Sequence, residues 1–196
     1  MKDNFIKELE STSPALIAQR WVIDRTPHIF GNDQKGYVDW KSQLASKIEV
    51  DGRAITIIGS ACVGFSLSPL KNLRDFDDSS DIDIAIISAY HFDVAWRCVR
   101  SFGPKVHSLS NKQRASLEDH KKRLIYWGTF DTKHLLPKLP FGKKWFEAFE
   151  KMTTIAPTQD RDINARVYRD FESLSAYHTN NIKKLREIAT AGNDDD

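Results

Sequence analysis

The sequence predicts an α+β fold in which a small mixed β-sheet packs against several helices, with helical additions at both ends. Two observations support this fold class. Short apolar segments with the alternation of β-strands lie at 54–58, 80–87 and 162–169. Apolar residues recur at helical spacing in segments 15–23, 37–48, 90–102 and 171–188. Helices and strands therefore share one structural unit.

We expect one domain over 1–196, because a chain of this length suits a single core with helical additions. The predicted parts are N-terminal helices over 1–50, a core over 51–170 and a C-terminal helix over 171–190. The acidic tail, 191–196, is expected to be disordered.

The composition excludes several classes of protein. The formal net charge of +2 is too small to indicate nucleic-acid binding by bulk electrostatics. No apolar run is long enough to span a bilayer, and residues 1–8 lack the pattern of a secretory signal, so we expect a cytoplasmic protein without membrane contact. Cys62 and Cys98 have neither a disulfide framework nor a zinc-type spacing.

The elements follow in order along the chain. Ser13 and Pro14 are typical of a helix start, and the helix over 37–48 carries one apolar stripe. Asp51–Gly52 turns that helix into the strand at 54–58. A short helix over 62–67 and a polar loop over 69–80 are predicted next. These segments connect the first strand to the second.

The second half of the chain is more helical. The helix over 90–102 is expected to end at Gly103–Pro104, and a polar helix over 112–127 carries the basic cluster 120–123 on a solvated face. Pro137 and Pro140 leave the segment 129–141 unassigned. A short helix near 145–152 precedes the strand at 162–169.

Two acids on the second strand are the first candidate functional residues. Successive side chains of a strand point to opposite faces, so Asp81 and Asp83 project together while Ile82, Ile84 and Ile86 enter the core. Two adjacent carboxylates repel each other unless a cation lies between them. Mg²⁺, which prefers one or two carboxylates plus substrate phosphates, is the expected ion, with Mn²⁺ as the second candidate.

The turn after the first strand is the second candidate. Gly59 and Ser60 lead from the strand into a helix, whose unpaired amides and positive end can receive phosphate groups. Gly59 has no side chain to obstruct an approaching phosphate, and the Ser60 hydroxyl adds a donor. The turn and the acid pair together predict a metal-dependent nucleotide site.

The motifs carry a family resemblance over 50–90. The pattern Gly59-Ser60, then Gly64-Phe65-Ser66, then Ser80-Asp81-Ile82-Asp83-Ile84 resembles the signature of the DNA polymerase β-like nucleotidyltransferase superfamily, in particular its small stand-alone bacterial members. The resemblance implies a nucleotidyltransferase-type sheet. It also implies metal-dependent transfer of a nucleoside monophosphate from a nucleoside triphosphate such as ATP to a hydroxyl group, with release of pyrophosphate.

The resemblance leaves the acceptor open among an RNA end, a protein and a small molecule. It includes settings in toxin–antitoxin and antiviral defence systems. The residues expected to bind the nucleotide are Gly59, Ser60, Ser66, Ser80 and Arg166. The oligomeric state is left open.

A third carboxylate on a neighbouring strand is implied by the same resemblance, as a metal ligand and catalytic group beside Asp81 and Asp83. Asp162 is the first candidate, because it belongs to the alternating segment 162–169, and Asp131 is the second. Asn164 follows Asp162 on the same face. An amide at the ligand position would depart from the family pattern, because it cannot act as a general base.

Two alternative functions follow from these motifs. One is a nucleotide-binding regulatory protein of the same fold that is catalytically weak or inactive, which the uncertain third carboxylate motivates. The other is an oligonucleotide or cyclic-nucleotide synthase.

Overall fold

One mixed sheet forms the centre of the computed structural model, which describes residues 1–68 and 71–191. Its strands are β1 (Ile55–Ile58), β2 (Ile82–Ile87), β3 (Thr129–Asp131) and β4 (Ile163–Tyr168), in the order β1-β2-β4-β3. β1 is antiparallel to β2, β2 is parallel to β4, and β4 is antiparallel to β3. The fold is α+β, as the sequence predicts.

Helices cover both faces of this sheet. Their bounds are α1 Lys2–Ser11, α2 Pro14–Ala18, α3 Gln34–Ile48, α4 Ser60–Val63, α5 Ala89–Arg100, α6 Asn111–Asp119, α7 Gly142–Met152 and α8 Phe171–Ala191. Wider π-helical turns extend α2 over Gln19–Ile23 and α6 over His120–Leu124. Short 3₁₀ turns occur at His28–Phe30, Gly52–Ala54, Gly103–Ser108, Ile125–Trp127 and Leu136–Lys138. In the described ranges, each helix is too short or too polar to cross a membrane.

Side-chain caps explain where several helices begin. The Asp33 carboxylate accepts the Gly36 N–H at 2.8 Å at the start of α3, and the Ser88 hydroxyl accepts the His91 N–H at the start of α5. Ser110 and Gln113 form a reciprocal capping box on α6. These caps satisfy amide donors that lack a partner within the first helical turn.

The first face of the sheet is fully apolar. Ile55, Ile57, Ile82, Ile84, Ile86, Ile163, Ala165 and Val167 point to this face and pack against α3, α5 and α7. The predicted stripe of α3 is buried here at Tyr37, Trp40, Leu44 and Ile48.

The second face is apolar at one end and polar at the other. Ile58, Ala85 and Tyr168 pack with residues of α1, α2 and α8. Asp83, Asn164, Arg166 and Asp131 alternate with buried residues on their strands, and they lie in register with one another. The fold therefore leaves one polar patch on the sheet beside α8.

The structure corrects several predicted elements. The helix predicted over 62–67 spans only Ser60–Val63, because Gly64 adopts φ 91° and ends it. The unassigned segment contains β3, and α1 was not predicted. Part of the predicted loop, 69–70, and nearly all of the predicted tail, 192–196, lie outside the described residues.

Truncation of Trp40 tests the core under the first face. Trp40 is 2% exposed, and its indole N–H donates to the Thr158 hydroxyl at 3.0 Å. We expect Trp40→Ala to lower the free energy of unfolding by about 3–5 kcal/mol, because it leaves a cavity. Urea unfolding measures this change. Val38→Ala on the same helix, at an exposed position, is the control and should stay within about 0.5 kcal/mol of wild type.

Candidate functional site

The polar patch of the second face forms the floor of a cleft with a volume of about 640 Å³. The turn after β1, the residues 66–68 together with Lys71, the ends of β2, β3 and β4, and one side of α8 surround this cleft. Its charged lining residues are Lys71, Asp83, Arg123, Asp131, Lys133, Arg166 and Lys184. Five cationic and two acidic side chains therefore line it, which favours an anionic ligand.

The Gly59–Ser60 turn lies directly against Asp83. Ile58 and Asp83 are register partners in the β1–β2 pair, and Gly59 follows with φ 68°. A Cβ atom at Gly59 would lie 3.0 Å from the Asp83 carboxylate. Both the backbone angle and this close approach require glycine. The helix that follows has only four residues, so the turn contributes local donors and little helix dipole.

Asp81 does not line the cleft itself but contacts two residues that do. Its Oδ2 atom accepts a hydrogen bond from Lys133 Nζ at 2.9 Å and another from Asn164 Nδ2 at 3.0 Å. The hydrogen bond to Asp81 is the main reason that the pKa of Lys133 lies above its ordinary value, and the charges of Asp83 and Asp131 act in the same direction. The Lys133 ammonium group thus belongs to the acid cluster.

Asn164, and not Asp162, occupies the place beside the acid pair. Asn164 is the register partner of Asp83 in the parallel β2–β4 pair, and both line the cleft. Asp162 is exposed, precedes β4, and lies outside the set of cleft-lining residues; its backbone carbonyl accepts the Ile82 N–H. The structure therefore does not bring Asp162 to the acid pair, because this residue precedes β4 and lies outside the cleft; its role as third carboxylate stays a prediction of the resemblance.

Asp131, the second candidate, lies in the cleft but is paired with Arg166. Arg166 donates from Nη2 to Asp131 Oδ2 at 2.7 Å and from Nη1 to the Tyr177 hydroxyl at 2.7 Å. Burial alone would raise the pKa of Asp131, but the charge and hydrogen bond of Arg166 hold that pKa below its ordinary value. Burial opposes the charge of Arg166, yet Tyr168, Tyr177 and Asp131 raise its pKa. The pair is ionised at neutral pH.

Asp83 has a pKa above its ordinary value. Water reaches its carboxylate from the cleft, but protein atoms surround it on the other sides, and this desolvation raises its pKa. Arg166 opposes the increase, while Asp131 and Asp81 add to it. The pKa of Asp83 therefore depends on the charge of a ligand in the cleft.

The two predicted serine ligands differ in position. Ser66 lines the cleft, and its hydroxyl accepts the Ser68 N–H at 3.2 Å. Ser80 is buried outside the cleft lining, where its hydroxyl accepts the Asp77 N–H and donates to the Asp77 carboxylate. The predicted role of Ser80 in nucleotide binding is thus replaced by a structural role in the loop before β2.

The sequence suggested that the basic cluster 120–123 lies on a solvated helix face. In the structure its members differ in exposure. His120 is fully buried, donates from Nδ1 to the Ser116 carbonyl and accepts the Asp131 N–H at Nε2. Burial is the main reason that its pKa is lowered, which favours this neutral tautomer. Arg123 lines the cleft and donates to Asp119 on α6.

Sequence reasoning also missed the contribution of α8 and of Lys133. Tyr177, His178, Asn181 and Lys184 of α8 line the cleft. Burial lowers the pKa of His178 to about 3, so this imidazole is neutral at physiological pH. The apolar spacing over 171–188 indicated only which residues of this helix are buried. It did not indicate that Lys184, which precedes the buried Leu185, lines the cleft.

The side chains present fit a two-metal centre poorly. Asp81 Oδ2 already accepts two hydrogen bonds, Asp131 is bound to Arg166, and the residue opposite Asp83 is an amide. Over residues 1–68 and 71–191, no three His, Cys, Asp or Glu side chains are grouped as metal ligands. The expected Mg²⁺ or Mn²⁺ centre therefore lacks the three available carboxylates that the resemblance implies.

Comparisons of the chain with protein-family models, curated proteins and solved structures find no match.

Replacing Asp131 tests the Asp131–Arg166 pair. We expect Asp131→Asn to lower the free energy of unfolding at pH 7 by about 2–3 kcal/mol, because Arg166 loses its counter-charge. The folded-state pKa of Asp131 is depressed, so its contribution is present above the unfolded pKa and disappears as pH falls through the folded pKa. Urea unfolding at a series of pH values should show the difference from wild type narrowing in acid.

Asp39→Asn, at an exposed position of α3, is the matched control for the loss of one carboxylate. A difference between wild type and Asp131→Asn that stays constant down to the acid limit would show that Asp131 stabilises the fold by packing and not by charge.

Proposed function

We propose that the cleft binds a nucleoside triphosphate through its phosphates, and that the chain is a nucleotide-binding protein with weak or no nucleotidyl transfer. The observation that carries this proposal is the convergence of the Gly59–Ser60 turn with five cationic side chains in one cleft. A glycine turn gives phosphate oxygens access to backbone donors, and the cations offset their charge.

The size and chemistry of the cleft support a nucleotide over a simple anion. Its volume of about 640 Å³ lies within the usual range for sites that bind small molecules. At the α8 side, Tyr177, His178 and Asn181 offer aromatic surface and polar groups for the ribose and base. The phosphates belong at the opposite side, where Gly59, Ser60 and Lys133 lie.

The substitutions in the acid cluster support binding without efficient transfer. A two-metal transfer reaction needs carboxylates that are free to hold the ions. Asp81 is occupied by Lys133 and Asn164, and the amide of Asn164 cannot take a proton from an attacking hydroxyl. The regulatory alternative among the sequence-based functions therefore agrees best with these contacts.

Metal-dependent nucleotidyl transfer is the second candidate function. The presence of Asp81 just before β2 and Asp83 within it, with the Gly59 turn against Asp83, favours it. The RNA, protein or small-molecule acceptor and the defence setting stay predictions of the resemblance.

A charge reversal on α8 tests nucleotide binding. Lys184 lines the cleft, whereas the adjacent Lys183 is exposed and lies outside the lining. We expect Lys184→Glu to weaken ATP binding about tenfold in calorimetry at low salt, because it removes one of the five cations of the cleft and adds a carboxylate that repels the anionic ligand. Lys183→Glu makes the same change of net charge and should bind ATP as wild type does. Equal effects of the two variants would assign the loss to net charge and contradict binding in this cleft.

A label-transfer experiment separates the two functions. The protein is incubated with each α-labelled nucleoside triphosphate, Mg²⁺, and total RNA or cell lysate, and wild type is compared with the Asp81→Ala plus Asp83→Ala variant. We expect wild-type labelling no higher than that of the variant, although calorimetry shows that wild type binds nucleotide. Labelling that the double substitution abolishes would establish the transfer reaction instead. Chromatography after incubation with triphosphates alone detects oligonucleotide or cyclic products.

A further inference from the structure

The Lys133 ammonium group lies against Asp81, one of the two acids expected to bind a metal ion. Its Nζ atom is 2.9 Å from Asp81 Oδ2, and its backbone N–H donates to Asp131 Oδ1 at 2.9 Å. The hydrogen bond to Asp131 holds the backbone that follows β3, and the Lys133 side chain extends from there to Asp81. Both residues that flank the ammonium group on the sheet, Asp83 and Asn164, also line the cleft.

The hydrogen bonds of Asp81 leave little room for a divalent ion at its Oδ2 atom. A carboxylate oxygen has two lone pairs, and Oδ2 accepts from both Lys133 and Asn164. Mg²⁺ demands oxygen ligands at about 2.0–2.1 Å in near-octahedral geometry. An ion at this oxygen would have to displace a charged donor that is already in place.

The Lys133 ammonium group can itself bind a phosphate. An ammonium group carries three donors, and the bond to Asp81 uses one. Lys133 lines the cleft and is about half exposed at its side chain, so a ligand in the cleft can reach it. A compact positive charge is also the feature that lysines in phosphate sites supply.

We propose that Lys133 takes the place of a metal ion: it neutralises Asp81 and contacts a phosphate of the ligand, so that nucleotide binding needs no divalent cation. This inference rests on the proposed nucleotide binding and deepens it. Asn164 has a matching role. It is a neutral amide where the resemblance implies a carboxylate, and it donates to the same oxygen of Asp81.

The first test measures ATP binding by calorimetry in EDTA and in Mg²⁺. We expect dissociation constants within about threefold of each other for wild type, because the cation that meets the phosphates is part of the chain. Lys133→Met should weaken binding in EDTA by about tenfold or more. Lys138→Met, at an exposed lysine outside the cleft lining, is the matched control and should leave binding unchanged.

The second test measures metal binding directly, without nucleotide. Paramagnetic resonance of free Mn²⁺ should show no binding to wild type at micromolar concentrations. The combined substitutions Lys133→Met and Asn164→Asp remove the ammonium group and supply a third acid beside Asp81 and Asp83. We expect this double variant to bind Mn²⁺, whereas Lys138→Met with Asn164→Asp, which keeps the ammonium group, should bind it much more weakly.

The outcomes separate the inference from the proposed function. Binding of ATP to wild type that EDTA abolishes, or tight Mn²⁺ binding by wild type, would overturn the role of Lys133 and leave nucleotide binding intact. No ATP binding in either buffer would overturn the proposed function and the phosphate contact together. ATP binding in EDTA that Lys133→Met weakens, with Mn²⁺ binding only after the ammonium group is removed, supports the inference.

Discussion

The parallel pairing of β2 with β4 is the constraint on which the site depends. It sets Asp83 opposite Asn164 and Ala85 opposite Arg166, and the β3–β4 pair then sets Arg166 opposite Asp131. A shift of β4 by one residue would send its polar side chains to the apolar face of the sheet, under α3, α5 and α7. The buried apolar residues of both strands oppose that shift, so the hydrophobic core fixes the positions of the polar side chains in the cleft. These residues are Ile82, Ile84 and Ile86 on β2 and Ile163, Ala165 and Val167 on β4.

Electrostatic pairing makes the acid cluster stable as it stands. Asp81 faces Lys133, Asp131 faces Arg166, and each pair is joined by a hydrogen bond of 2.7–2.9 Å. Without these cations, three neighbouring carboxylates would repel one another and raise each other's pKa values. The contacts that remove this repulsion also occupy Asp81 Oδ2 and both carboxylate oxygens of Asp131, which a metal ion would otherwise use. Stability of the cluster and capacity for metal therefore oppose each other here.

Sequence patterns predicted the parts of the fold that depend on regular alternation. Asp81 was predicted to share a face with Asp83, and Asn164 to share one with Asp162, because the segments 80–87 and 162–169 alternate. The register of β2 with β4, which places Asp83 beside Asn164, was not predicted. Lys133 was missed because β3 has three residues in a proline-rich segment, too short for a period to be recognised. Arg123 is exposed, as the prediction of a solvated helix face requires, but its place in the cleft lining was not predicted, because it depends on how this helix packs beside the sheet. Register and helix packing depend on tertiary contacts, so single-chain patterns could not supply them.

The balance of charge in the cleft agrees with the proposed binding of an anionic ligand. Under the proposal, two exchanges separate this cluster from a metal-binding one: an ammonium group for an ion and an amide for a carboxylate. Each exchange removes a requirement for metal, and both keep the surroundings of a phosphate positive. Gly59 supports the same interpretation. Its positive φ and its close contact with Asp83 require a residue without a side chain, and this leaves the turn accessible to a ligand.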